Sequence, residues 1–400
     1  MGVTALRPLL TVIAVATVLR PSVVVVGPLL PRLTLDLGLG AAGAAVLTAL
    51  PVVSFGLGAF IGPTLSRRLD LNGGLAAAMV VVVVGGVVRV LGGTALLFAG
   101  TLAVGLALAV GNVLLPAVVR RDFAGRIGPV TGAYTSTLAL TSAIAALTAV
   151  PLADATAYGW RLPLALWGLL GLAALWPLAH SRSHGRAGRR PRGDELSRPA
   201  APAAPGGPPG PLRLLRLPAT RWLTAFMGLQ SIGFYTMVAW LPTLLQSHGI
   251  APAASGALLS LATLLGIPAG LLMPVLAARM RAQGALAATA TAVTAVGWLG
   301  LLAAPATGAV LWAALLGLGT GATFPVALVL IGLRSRDPAT TPQLSAAVQG
   351  TGYLIAAGGP LAFGLLHQLT GSWEVPLLVL LGLDGLQTLS GWHAGRAGGV

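Results

Sequence analysis

One residue dominates the chemistry open to this chain. Leu9 to Pro31 reads LLTVIAVATVLRPSVVVVGPLLP, long enough to cross a bilayer as a helix, with Arg20 at its centre and Pro21 next to it. An arginine at that depth costs about 2.5–3.5 kcal/mol on an insertion scale, so it faces a water-filled cavity, a partner or a substrate. No acid lies in the stretch to neutralise it. A guanidinium there offers a planar, permanently charged fork to the oxygens of an anion. The alternative is a structural charge bonded to helix carbonyls or water. Pro21 takes away a backbone N–H and so can leave a carbonyl near the site.

Other polar residues fall within apolar stretches. Asn112 lies in a glycine-rich run and could donate to a bound oxyanion or bond between helices. Gln230, Ser231 and Tyr235 are grouped in one stretch, with Ser231 and Tyr235 on one face at i,i+4. Gln349 and Tyr353 repeat that spacing. Together they suggest a polar, aromatic-lined pocket. Tyr134, Thr137 and Thr141 share a face, which helix–helix hydrogen bonding explains equally well. Trp240 stands nearer a boundary, as an interfacial aromatic or as a gate. Arg89 lies about a turn from a helix end, where snorkelling is the inexpensive reading. Asp384 is the acid placed well within an apolar stretch, and hence the candidate for proton coupling.

These residues need a scaffold, and composition supplies its class. The 400-residue chain is 56% hydrophobic and 8% charged, too little charge for the surface of a soluble protein of this length. Gly 55 and Pro 29 suit helices that pack closely and bend. Cys 0 excludes disulfides and thiolate-held metals, and the scattered histidines make no metal pair. HExxH, P-loop and nucleophile–base patterns are absent, so neither an enzyme nor a cofactor is expected. The net charge of +15 reads as loop charge that sets topology, with a lipid bilayer and not nucleic acid as the partner. Every one of the cations is arginine, the bias of a GC-rich bacterial genome.

Twelve apolar spans are expected, near 9–31, 43–65, 73–92, 95–119, 129–152, 161–180, 219–244, 254–277, 284–304, 308–331, 343–366 and 373–392. Arg7 with the following apolar run resembles a signal peptide, but the run resumes after Arg20, so it is read as an uncleaved first span. With a cytoplasmic N-terminus, the inner loops hold nearly all the arginines and the outer loops hold Arg32 and Arg161. That split satisfies the positive-inside rule and places both termini in the cytoplasm of an inner-membrane protein. Residues 181–218, rich in Arg, Pro and Gly, read as a disordered cytoplasmic linker. It separates an N-terminal six-helix half (1–180) from a C-terminal one (219–400). Gly159-Trp160-Arg161-Leu162-Pro163-Leu164 matches Ser372-Trp373-Glu374-Val375-Pro376-Leu377, and Gly43-Ala44-Ala45-Val46-Leu47 matches Gly256-Ala257-Leu258-Leu259-Ser260 at the same offset. With six spans in each half, the repeat is parallel, the arrangement in which transporters hold substrate between halves.

Leu19-Arg20-Pro21 with Gly27-Pro28-Leu29-Leu30-Pro31, Gly111-Asn112-Val113-Leu114-Leu115-Pro116 running into Arg120-Arg121-Asp122-Phe123, Ala239-Trp240-Leu241-Pro242, and Gln349-Gly350 with Gly352-Tyr353 carry a resemblance across the whole chain. The sequence resembles the major facilitator superfamily, and within it the cyanate/nitroimidazole transporters. The resemblance implies that spans one, four, seven and ten line the cavity, and that substrates are small anions or nitro-heterocycles. The loop after span two departs from the superfamily pattern. It keeps Arg67 and Arg68 but moves the acid to Asp70, so an inter-half latch there has uncertain partners. Span five lacks the Gly-Pro-x-x-Gly-Gly signature of drug/proton antiporters.

The expected protein is therefore an all-α, monomeric membrane transporter of twelve helices in two parallel halves. It moves a small, anionic or nitro-substituted molecule by alternating access, with protons as a candidate co-substrate. Arg20, Asn112, Gln230, Tyr235, Gln349 and Tyr353 are the substrate-binding candidates. Arg67, Arg68 and Trp240 are the gating candidates, and Asp384 is the coupling candidate. Export of amphipathic drugs or metabolites is the alternative, and a non-transporting receptor a remote one.

Overall fold

Proline, glycine and charge placement decide where the spans break. The computed structural model describes residues 3–187, 209–335, 337 and 339–396. Span one is a rod in three pieces, Val3–Leu19, Pro21–Val24 and Val26–Leu37. Pro21 causes the first break, because its ring bears no N–H to continue the ladder. The Arg20 carbonyl instead accepts from the amides of both Val23 and Val24 at 3.0 Å. Span two begins as Ala41–Ala59 and resumes within Ile61–Val88, which turns back at Asp70 to become span three. Asp70 has φ 63°, ψ 177°, and its Oδ1 accepts the Gly73 amide at 2.7 Å. The acid of the loop is therefore the N-cap of span three.

The remaining spans follow as Gly93–Asp122, Ile127–Asp154, Arg161–Leu169 with Gly171–Ala187, Pro218–Ser247, Pro252–Arg279, Gly284–Ala303, Ala309–Arg334, Thr341–Thr370 in pieces, and Glu374–Ala394. Span eleven contains a π-helical turn, Ala346–Gly350, and a break at Gly358. Among the described residues, nine helical stretches are long and apolar enough to cross a membrane by length and composition alone. Span two merges partly into the third, span eleven is fragmented, and span seven carries Gln230 and Ser231 in its middle. Spans two and eleven pack on each other across the halves, and span seven packs on span eleven.

Of residues 181–218, expected as a linker, the two ends are described. Span six continues as helix to Ala187, and Pro211–Leu214 forms one helical turn with Leu214 buried. Residues 188–208 lie outside the described residues.

The core shows how the halves meet. One apolar cluster occupies the arginine-rich end and draws on both halves, with Val12, Val118, Ile127, Leu223, Ile331 and Leu344 among its members. At the other end the core is split in two. Val25, Leu29, Ala149 and Trp167 form a cluster within the N-terminal half, and Leu241, Trp298, Ala313 and Phe363 one within the C-terminal half. The halves are thus sealed at the arginine-rich end and parted at the opposite end.

Candidate functional site

Arg20 sits where the sealed and parted regions meet. Its carbon Cζ lies 4.7 Å from the ring centroid of Phe324 in span ten and 5.4 Å from that of Phe234 in span seven. A cation from the N-terminal half is thus held between two aromatic faces of the C-terminal half, within cation–π range. Tyr353 of span eleven and Tyr235 of span seven both lie close enough to feel the charge of the guanidinium. Tyr353 packs against Phe55 of span two, centroids 5.5 Å apart, and Phe234 meets Tyr235 edge-on at 5.4 Å. Tyr134 of span five is a further electrostatic neighbour of Tyr353. Among the described residues, the ion pairs formed are Arg32–Asp154, Arg121–Asp122 and Arg161–Asp36, so no acid neutralises Arg20. Its side chain is only partly buried. The arrangement is a cation with aromatic walls and phenol groups beside it, suited to a small ligand bearing negative charge or polar oxygens.

One turn towards the arginine-rich end, the two halves are bonded. Pro116 interrupts the ladder of Gly93–Asp122 and leaves the carbonyl of Asn112 without its i+4 donor. Gln349 supplies one from across the interface, its Nε2 donating to that carbonyl at 3.0 Å and to Ser345 Oγ at 2.7 Å. Gln349 is fully buried, and its Oε1 has no partner. Nearer the end, Arg120 Nη1 donates to the Gly332 carbonyl at 2.6 Å, again between halves.

The sequence-derived candidates separate accordingly. Arg20, Tyr235 and Tyr353 are brought together. Asn112 and Gln349 form the bonded layer beside them. Gln230 is 2% exposed and turned into its own helix, donating to the Met227 carbonyl at 3.0 Å and to Ser231 Oγ at 2.6 Å. Arg67 and Arg68 are exposed, and Arg67 reaches Thr64 Oγ1 at 3.4 Å; bonds between the halves are made by Arg120, by Gln349 and by Thr135, whose Oγ1 donates to the Gly270 carbonyl at 3.3 Å. Trp240 belongs to the C-terminal half's own packing, its Nε1 donating to the Pro360 carbonyl at 2.9 Å beside Phe363 and Trp373. Asp384 is buried on span twelve, which packs on spans nine and seven, and its Oδ2 has no partner. Snorkelling does not describe Arg89, which is 1% exposed. Phe55, Phe234 and Phe324 were not among the candidates, because an aromatic in an apolar span looks like core until a cation is placed against it.

The comparisons with known proteins agree with this architecture. The family model of the Major Facilitator Superfamily matches residues 12–360. The chain is 34% identical to the uncharacterised transporter YycB of Bacillus subtilis over 96% of this chain and 92% of the relative. It is 34% identical to the 2-nitroimidazole transporter of Escherichia coli K12, over 96% and 94% of the two chains. The cyanate transport protein CynX of the same organism is 30% identical over 94% of each. Among solved structures, the proton:xylose symporter XylE superposes with TM-score 0.77 at 12% identity, over 96% of this chain and 94% of that one.

Proposed function

The chain belongs to the Major Facilitator Superfamily, and on that premise we propose that it moves a small anion or nitro-substituted molecule by alternating access, with Arg20 as the substrate-binding cation. The observation that carries this reading is the unneutralised guanidinium between Phe234 and Phe324, where the seal between the halves ends. Cyanate and a nitro group share a feature that suits it. Both present compact electron-rich atoms to N–H donors and a flat or linear π system to aromatic faces. Two relatives at 30% identity or above are named for transport of such molecules, which supports the same class here.

Direction follows from charge. By the positive-inside rule the arginine-rich end faces the cytoplasm, so both termini are cytoplasmic and the sealed end is the inner one. The conformation is then open to the outside, with Arg20 at the floor of the opening. Substrate binding at Arg20 would draw on groups from both halves, and release of the Gln349–Asn112, Arg120–Gly332 and Thr135–Gly270 bonds would open the inner face. The unit proposed to act is a monomer, with Arg20, Phe234 and Phe324 supplied by one chain.

The test is uptake into proteoliposomes of cyanate, nitrite, nitrate, small carboxylates and nitroimidazoles, with and without a pH gradient. Saturable uptake of at least one anion or nitroimidazole is expected. Uptake confined to bulky amphipathic cations would replace this reading with drug export.

A further inference from the structure

A buried arginine stands behind Arg20. Arg89, at the end of span three, is 1% exposed and has no ion pair among the described residues. Its Nη1 donates to the carbonyl of Ser22 at 2.7 Å, and its Nη2 to the carbonyl of Leu164 at the start of span six. Ser22 is two residues beyond Arg20, inside the short turn Pro21–Val24 that the proline break creates. The Ser22 hydroxyl makes a further bond to the Trp167 carbonyl at 3.0 Å. That turn is therefore held from outside the span by one guanidinium and one hydroxyl.

The packing that allows this is specific. A Cβ on Gly86 would come within 2.8 Å of the Gly168 Cα, and a Cβ on Gly168 within 2.8 Å of the Gly86 Cα, so spans three and six touch backbone to backbone. Only at that separation does Arg89 reach a span-six carbonyl and a span-one carbonyl together. A charged side chain is expensive to bury in a membrane protein, and plain helix packing could be had from an apolar residue. What the guanidinium adds is several directional donors in one plane, matched to two carbonyls on two different helices.

We infer that Arg89 is a positioning residue for the substrate site: through the Ser22 carbonyl it fixes the turn after Arg20, and so sets where the Arg20 guanidinium stands between Phe234 and Phe324. The inference rests on the reading of Arg20 as the substrate-binding cation. It assigns the two intramembrane arginines of the N-terminal half to one device, with Arg20 presented to the ligand and Arg89 holding the backbone that presents it.

The test uses full-length protein in proteoliposomes, with cyanate and 2-nitroimidazole as probes, and compares Arg89→Lys, Ser22→Ala and Arg20→Ala with wild type. Lysine keeps the charge but cannot bridge two carbonyls from one planar head. Ser22→Ala loosens the same turn without disturbing a buried charge, which covers the case in which Arg89 variants fail to fold. Both are expected to raise KM, by tenfold or more for Arg89→Lys and a few-fold for Ser22→Ala, with kcat per folded transporter within twofold. A structure of Arg89→Lys is expected to show Arg20 displaced from its 4.7 Å approach to Phe324. An unchanged KM in both variants, or an unmoved Arg20, overturns the inference while leaving Arg20 as the site. Unchanged uptake by Arg20→Ala overturns the underlying reading instead.

Discussion

The bond between Gln349 and the Asn112 carbonyl gives a quantitative handle on the inner seal. Removing the amide with Gln349→Met leaves the carbonyl that Pro116 has already deprived of its helical donor, a loss of about 1–3 kcal/mol for an unsatisfied buried acceptor. The same substitution also removes the buried Gln349 Oε1, which has no partner and whose relief is of similar size. The single variant can therefore shift the seal either way. Pairing it with Pro116→Ala separates the two effects. Alanine restores an N–H to the Asn112 carbonyl and makes the Gln349 amide redundant, while Oε1 is lost in both backgrounds. The difference between backgrounds isolates the cross-half bond, at about 1–3 kcal/mol or roughly 5- to 160-fold in the ratio of states. The chain has Cys 0, so a single reporter can be placed without preparing a cysteine-free background. Leu344→Cys suits the purpose, being 0% exposed in the stretch Thr341–Ser345 that packs on span four at the sealed end. Gln349→Met should raise the alkylation rate of that cysteine more with Pro116 present than with alanine there, by about fivefold or above. An equal effect in both backgrounds would refute a sealing role for the bond.

Phe324→Leu and Phe234→Leu keep apolar volume but remove the π faces, and each should raise KM. The closer Phe324 should have the larger effect, within the ~0.5–2 kcal/mol range of such contacts, measured by initial uptake rates. A Cβ on Gly132 would come within 2.7 Å of the Leu271 carbonyl between spans five and eight, so Gly132→Leu should force the sealed end apart. Faster alkylation of the Leu344→Cys reporter checks that. Asp384→Asn should preserve counterflow exchange, because the carboxyl lies on span twelve while Arg20 faces spans seven and ten. Loss of counterflow would bring Asp384 into the transport step itself.

Much of this was legible in the chain. The spans, the repeat and the expense of Arg20 follow from hydropathy, spacing and charge, because a bilayer penalises each misplaced polar group heavily. Tyr235 and Tyr353 could be singled out because polar aromatics in mid-span stand out. What was hidden were relations that depend on which helix faces which. Gln230 and Gln349 have the same chemistry in sequence, yet one bonds within its own helix and the other bonds across the halves. The difference is Pro116 on a distant span, which makes a carbonyl available only where Gln349 can reach it. Arg89 near a helix end predicted snorkelling, since nothing local reveals that two carbonyls from spans one and six converge on it. Asp70 reads in sequence as part of a latch loop, but at the chain reversal, with positive φ, it caps the next helix.

The most direct measurement is counterflow of radiolabelled cyanate and 2-nitroimidazole in proteoliposomes carrying equal amounts of folded wild-type, Arg20→Ala and Arg20→Gln protein. With Arg20 as the anion-binding cation, the wild type exchanges at least one of the two probes, while both variants insert, fold and exchange neither. Exchange by Arg20→Gln at the wild-type rate would contradict that role and return Arg20 to a structural charge in the broken first span.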